Sequence, residues 1–317
     1  MWIKVILAYM AVAISKRINT TMFRDEHIIF SSEFNITRLL VPADGNRYLH
    51  VDPTDMPSIF FTVSDPKAEG GSCIYVLEGL AAYEVLEGGR DSTSDYSSNK
   101  EVYFGAKDGL YIYQQETLSA KKYGPFRDDI IQLQKANGSD SIYILNNDYK
   151  MYLVEKNGTV KSKINICANQ FVLDTSNNLY YVSCIDNRIH IVKSDDSKSY
   201  TVTEEFKNVS LLRPAFMMEK CIPFFDNGDL YVLFSNGSWE RKDFYIGERP
   251  SAFSVDAALY LVTALNGKIY EFNVMDVLLR SMFGVSTEWP KDVTEIIMSI
   301  MDTKEDGMFD IFKWSHG

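Results

Sequence analysis

One pattern returns six times along this 317-residue chain. A β-branched or aromatic run is followed by a turn, then by a second such run built around a Tyr, a place that His190 takes in the fourth copy. It reads Ile59-Phe60-Phe61 with Cys73-Ile74-Tyr75-Val76, Val102-Tyr103-Phe104 with Leu110-Tyr111-Ile112, and Ile142-Tyr143-Ile144 with Met151-Tyr152-Leu153. It returns as Leu179-Tyr180-Tyr181 with Ile189-His190-Ile191, as Ile222-Pro223-Phe224 with Leu230-Tyr231-Val232, and as Leu259-Tyr260-Leu261 with Ile269-Tyr270-Glu271. The second-run positions 75, 111, 152, 190, 231 and 270 are spaced by 36, 41, 38, 41 and 39 residues. A period near 40 that holds several strands is the signature of an all-β fold, the β-propeller, in which each small sheet buries its faces against the next.

The fourth copy shows all four strands of a blade. Gln170 to Asp174 reads as the inner strand, Leu179 to Ser183 and Arg188 to Val192 as the central hairpin, and Ser199 to Glu204 as the outer strand. The inner strand recurs as Tyr48 to Asp52 and as Ala252 to Asp256, and is poorly marked in the second and fifth copies. The expectation is six four-stranded blades over residues 34–290, with residues 34–41 supplying the outer strand of the last blade, so that closing the ring hides two sheet edges. Residues 291–317 follow as an extension: Asp292 precedes Val293, Ile296, Ile297, Ile300 and Met301 at helical spacing, and Met308 to Trp314 reads as a strand. The alternative is seven blades, with residues 296–314 and 28–41 forming a split closing blade.

The start of the chain reads as an address. Lys4 precedes an apolar run from Val5 to Ile14, and small residues follow at Ala11-x-Ala13 or Ala13-x-Ser15. Residues 1–15 thus have the plan of a secretory signal peptide, too short to span a bilayer, and 16–33 form an N-terminal segment. Asn-x-Ser/Thr sequons at Asn19, Asn35, Asn137, Asn157, Asn208 and Asn236 agree with an extracellular glycoprotein, Asn19 lying too near the cleavage site to count on. A net charge of -11 argues against nucleic acid and anionic membranes as partners, since both would repel it. A soluble monomer is expected.

Familiar catalytic motifs are missing. The sequence contains no G-x-S-x-G elbow, H-E-x-x-H helix, P-loop or G-x-G-x-x-G. His27, His50, His190 and His316 share no ligand spacing; His190 stands where the repeat has Tyr, and His50 lies on a proposed inner strand. Asp174-x-Ser176-x-Asn178 reads as an Asx turn, and Asp52, Asp174 and Asp256 as residues that close the first turn of a blade. Cys167 and Cys184 fall at the start of one strand and the end of its antiparallel neighbour, which places them for a disulfide; Cys73 and Cys221 fall in non-adjacent blades. No cofactor is expected.

A cationic set remains. Just before the expected inner strands stand Asn46-Arg47-Tyr48, Gly89-Arg90-Asp91, Phe126-Arg127-Asp128, Asn169-Gln170, Leu212-Arg213-Pro214 and Glu248-Arg249-Pro250. Five of the eleven arginines thus occur at one recurring point of an acidic chain. Arg47, Arg90, Arg127, Arg213 and Arg249, with Tyr48 and Asn169, would ring one mouth of the channel and suit a planar, anionic small molecule through bidentate carboxylate bonds and stacking. The competing reading has each Arg pin its loop to the carbonyls of the next blade.

Residues 34–273 resemble the insect ommochrome-binding proteins, secreted pigment-binding propellers. The resemblance rests on Val102-Tyr103-Phe104-Gly105-Ala106-Lys107-Asp108-Gly109-Leu110-Tyr111-Ile112-Tyr113, then Glu116-Thr117 and Lys122-Tyr123-Gly124, and on Asn46-Arg47-Tyr48 ahead of Val51-Asp52. The family tends to show Asn-Arg-Pro at that last place, the tail after Asn273 has no counterpart, and the repeat is eroded around Cys221-Ile222-Pro223. The resemblance implies secretion into haemolymph or epidermis and binding of a phenoxazinone pigment or precursor, without assigning binding residues. The expected function is therefore a non-enzymatic carrier. The alternative is a metal-dependent lactonase- or esterase-like propeller hydrolase, for which Asp91, Asp95, Asp128 and Asp129 are the available acids.

Overall fold

A computed structural model of the protein describes residues 23–42, 58–96, 101–195, 199–214, 218–245, 249–255 and 260–273. The proposed signal peptide, Asn19, Arg47, Tyr48, His50, the strand expected at 48–52, and the extension at 291–317 lie outside these residues.

Among the described residues, six antiparallel four-stranded blades form a β-propeller. Blade 1 holds β2 (Ile36–Leu40), β3 (Ile59–Val63), β4 (Cys73–Glu78) and β5 (Ala81–Glu87); blade 2 holds β6 (Gly89–Thr93), β7 (Tyr103–Ala106), β8 (Gly109–Gln114) and β9 (Ser119–Lys122). Blade 3 holds β10 (Ile130–Lys135), β11 (Ile142–Asn146), β12 (Lys150–Glu155) and the first half of β13 (Val160–Leu173). The second half of β13 is the inner strand of blade 4, with β14 (Leu179–Ser183), β15 (Ile189–Val192) and β16 (Ser199–Thr201). Blade 5 holds β17 (Ser210–Leu211), β18 (Cys221–Asp226), β19 (Asp229–Phe234) and β20 (Trp239–Tyr245). Blade 6 holds β21 (Ala252–Val255), β22 (Tyr260–Leu265), β23 (Lys268–Asn273) and, as its outer strand, β1 (Ile28–Ser31). The inner strands neighbour one another in the order β2, β6, β10, β13 and β17, and β21 lies against β2.

Two strand assignments differ from the sequence reading. Residues 36–40 are the inner strand of the first blade, paired with β3, while the closing strand is Ile28–Ser31, paired antiparallel with β23. The propeller therefore begins at Ile28, ahead of the expected boundary at 34. Both segments are short apolar runs, and propensity alone does not tell which edge each one fills. The inner strands of blades 2 and 5, poorly marked in sequence, are Gly89–Thr93 and Ser210–Leu211.

The apolar runs are continuous because each central strand is covered on both sides. On β3, Phe60 packs toward blade 2 with Ile74, Val76 and Phe104, whereas Phe61 packs toward blade 6 with Val262, Ala264 and Ile269. On β7, Phe104 faces blade 1 and Tyr103 faces blade 3 beside Ile130, Leu133 and Ile144. Phe60, Phe61 and Phe104 are each at most 1% exposed. By area, burying a ring of this size contributes roughly 2–3 kcal/mol.

Candidate functional site

The inner strands leave backbone donors and acceptors facing the axis, and polar side chains of the neighbouring blade satisfy them. Asp91 and Thr93 of blade 2 accept from the backbone N–H groups of Leu133 and Lys135 in blade 3, both at 3.0 Å. Gln132 and Gln134 of blade 3 accept from Phe171 and Leu173 N–H and donate to the carbonyls of the same two residues in blade 4. Gln170 of blade 4 bonds Leu211 N–H and Val209 carbonyl in blade 5, and Ser254 of blade 6 accepts from Val41 N–H in blade 1. Polar residues on the inner strands thus form a belt that ties blade 2 to 3, 3 to 4, 4 to 5 and 6 to 1.

Asp91 is the electrostatic centre of that belt. Its carboxylate is 1% exposed and takes Arg213 Nη2 at 3.0 Å on one oxygen and Arg38 Nε at 3.7 Å on the other. Arg213 reaches from blade 5 across the axis, and also donates to the carbonyls of Ser92 and Leu133. Just beyond, Tyr96 Oη donates to Pro214 carbonyl at 2.6 Å. Burial pushes the Tyr96 phenol well above its ordinary value, against the pull of Arg213. An ion pair and three hydrogen bonds therefore join blade 5 to blades 2 and 3 across the ring.

The arginine set consequently divides. Arg213 follows its two-residue inner strand instead of preceding it, so it stands within the channel, pinned to carbonyls and to Asp91. Arg90 lies on β6 and pairs with Asp129 at 3.1 Å. Asn169 lies on β13, exposed, its amide donating to Asn187 Oδ1. Arg127 and Arg249 are exposed in the loops before β10 and β21. Arg38, which holds the second oxygen of Asp91, was hidden from sequence reading because its strand was given to the wrong blade.

A cleft of about 360 Å³ opens where the ring closes. Its walls are Glu33, Phe34 and Asn35 from the link between β1 and β2, Arg249 and Ser251 ahead of β21, and Leu265, Asn266 and Gly267 at the β22–β23 turn. The walls are fixed by backbone. Ser32 N–H donates to Gly267 carbonyl at 2.8 Å, and Ser251 Oγ donates to Ile36 carbonyl at 2.6 Å. Gly267 has φ +75°, and a Cβ there would sit 2.6 Å from Ser32 carbonyl oxygen, so only glycine lets the turn approach the link so closely. Of the described arginines singled out from sequence, Arg249 is the one this cleft contains.

Other residues have structural roles. Asp174 is buried and accepts from Ser176 N–H, Asn178 N–H, Asn178 Nδ2 and Tyr180 Oη, an Asx turn closing the first turn of blade 4. His190 stacks on Tyr181 and bonds Asp186 and Thr201. Cys167 and Cys184 form a disulfide with Cα atoms 5.4 Å apart. Cys73 and Cys221 are buried in blades 1 and 5, and burial pushes the Cys73 thiol up to about 12. Among the sequons, Asn35, Asn157, Asn208 and Asn236 are exposed. Asn137 is part-buried in a reciprocal clamp: its N–H donates to Asn177 Oδ1, its Nδ2 to Thr175 carbonyl, and its carbonyl accepts from Asn177 Nδ2.

No family model and no curated protein sequence matches the chain. Solved structures do. The WD40 repeats of RRP9 share 9% identity at a TM-score of 0.51, over 77% of this chain and 96% of that one. A nidogen–laminin complex shares 10% at 0.50, over 75% and 84%. A virginiamycin B lyase from Staphylococcus aureus shares 14% at 0.49, over 77% and 85%. At such identities the likeness to the first two shows the fold, a β-propeller, and leaves the function to the chain's own residues.

Proposed function

We propose that this chain is a secreted, non-catalytic propeller that holds a planar, anionic aromatic molecule in the cleft at its closing seam. The observation that carries the reading is that Arg249, exposed and with no ion pair among the described residues, shares one concave space with Phe34 and Leu265. A carboxylate would take the guanidinium's parallel N–H donors while an aromatic body lies along the apolar wall. A volume of about 360 Å³ suits one small polycycle. The six sequons and the N-terminal pattern support a secreted setting.

The acids that a hydrolase would draw on have other partners. Asp91 is held by Arg213 and Arg38, Asp128 by Lys161, and Asp129 by Arg90. Carboxylate oxygens engaged by the chain's own cations are less open to a substrate or a metal ion, which favours binding over hydrolysis.

The resemblance to ommochrome-binding proteins makes a phenoxazinone the first ligand to test. Titration with xanthommatin, followed by visible absorbance and protein fluorescence, is expected to saturate below millimolar and to be indifferent to chelator. Arg249→Ala is expected to weaken it about tenfold or more, the loss of one charge-assisted hydrogen-bonded pair. Absence of saturable binding below millimolar would overturn the reading.

A further inference from the structure

Two opposite charges line the closing-seam cleft and do not neutralise each other. Glu33 and Arg249 are both exposed and both on its wall, and among the described residues neither takes part in an ion pair. This contrasts with the channel, where Asp91 carries two guanidinium partners, and with the loops, where Asp128 and Asp129 each have one. An acid and a base left open on one concave surface each keep their full hydrogen-bonding capacity: five N–H donors on the guanidinium, two acceptor oxygens on the carboxylate.

A simple anion would meet Arg249 but be repelled by Glu33, and a simple cation would meet the reverse. A ligand carrying both charges satisfies both residues at once. We infer that the cleft selects an aromatic α-amino acid, or a larger aromatic bearing that group, with its carboxylate on Arg249, its ammonium on Glu33 and its ring against Phe34 and Leu265. The walls are positioned for this by backbone. Phe34 N–H donates to Ser32 Oγ at 3.1 Å, and the Ser32–Gly267 bond holds the Glu33 segment to the turn that carries Leu265. The inference rests on reading this cleft as the ligand site, and adds the ammonium and its partner.

The test uses the full secreted chain and three probes of one ring system: tryptophan, N-acetyltryptophan, which lacks the ammonium, and tryptamine, which lacks the carboxylate. Binding is followed by calorimetry for the wild type, Glu33→Gln and Arg249→Gln. Both side chains are exposed, so neither variant is expected to alter the circular dichroism spectrum. Tryptophan is expected to bind at least tenfold tighter than either analogue. Glu33→Gln should weaken tryptophan about tenfold and leave N-acetyltryptophan unchanged or tighter. Arg249→Gln should weaken tryptophan and leave tryptamine unchanged.

Should N-acetyltryptophan match tryptophan, with Glu33→Gln altering neither, the zwitterion inference fails while the cleft stands as an aromatic-anion site. Saturable binding of xanthommatin that responds to Arg249→Gln but not to Glu33→Gln has the same meaning. If neither xanthommatin nor any of the three probes binds, the cleft itself is misread.

Discussion

Asp91 shows how much a single carboxylate can organise. It accepts the Leu133 N–H, anchors Arg213 from the far side of the channel, and faces Arg38 from the blade before. Replacing it with Ala leaves two guanidinium groups facing each other across a narrow space and a backbone donor without its acceptor. Asp91→Ala is expected to cost about 3 kcal/mol, read as a lower urea midpoint with an unchanged slope. A loss below about 0.5 kcal/mol would show that water replaces the pair at no cost. Asn137 makes a second prediction at this scale. Its side chain is committed to Thr175 and its backbone to Asn177, so in a chain expressed through a secretory pathway glycopeptide mass spectrometry should find sugar at Asn157 and Asn236 and none at Asn137. Full occupancy at Asn137 would mean that the clamp forms only in unmodified chains. The clamp was invisible in sequence, where Asn137-Gly138-Ser139 reads like any other acceptor, because it depends on the register between two blades.

Among the elements, the hairpins were the most legible. Runs such as Ile59-Phe60-Phe61 are buried on both faces, so each residue must be apolar and the period stands out. Inner strands are harder to read. Their side chains serve the neighbouring backbone, so Asp, Thr, Gln and Ser replace the apolar code, and Ser210–Leu211 is only two residues long. That shortness is why Arg213 was aligned with residues it does not accompany. The Cys167–Cys184 bridge was legible because strand antiparallelism alone brings those positions together. It closes a loop over a sequence separation of 17, and replacing both cysteines with Ser is expected to cost about 3 kcal/mol by the chain-entropy argument. The measurement is thermal unfolding with and without reductant. Equal midpoints would show that β13–β14 pairing already holds the two ends.

For the whole molecule, closure depends on β1. Ile28 and Phe30 pair with Tyr270 and Ile269, which covers the last sheet edge with a strand from the chain's start. Removing residues through Ser31 exposes β23 as a free edge and strips Phe30 from Phe61, whose ring centroids are 4.8 Å apart. The truncated chain is expected to self-associate in sedimentation and to unfold at lower temperature than the full chain. A monodisperse monomer of unchanged stability would mean that another segment covers the edge. The six blades among the described residues were legible from the repeat, whereas the identity of the closing strand was not, since 28–31 and 36–40 are equally strand-like.

β13 joins two neighbouring blades in one continuous sheet. Its fourteen residues run without a turn from the rim of blade 3 to the axis of blade 4, on the side opposite the β1 seam. The molecule is built like a bracelet with a clasp on one side and a rigid back on the other. Amide protons of blades 3 and 4 would then exchange as one cooperative unit, while transient opening starts at the clasp, beside the cleft. A ligand seated there would hold the bracelet shut.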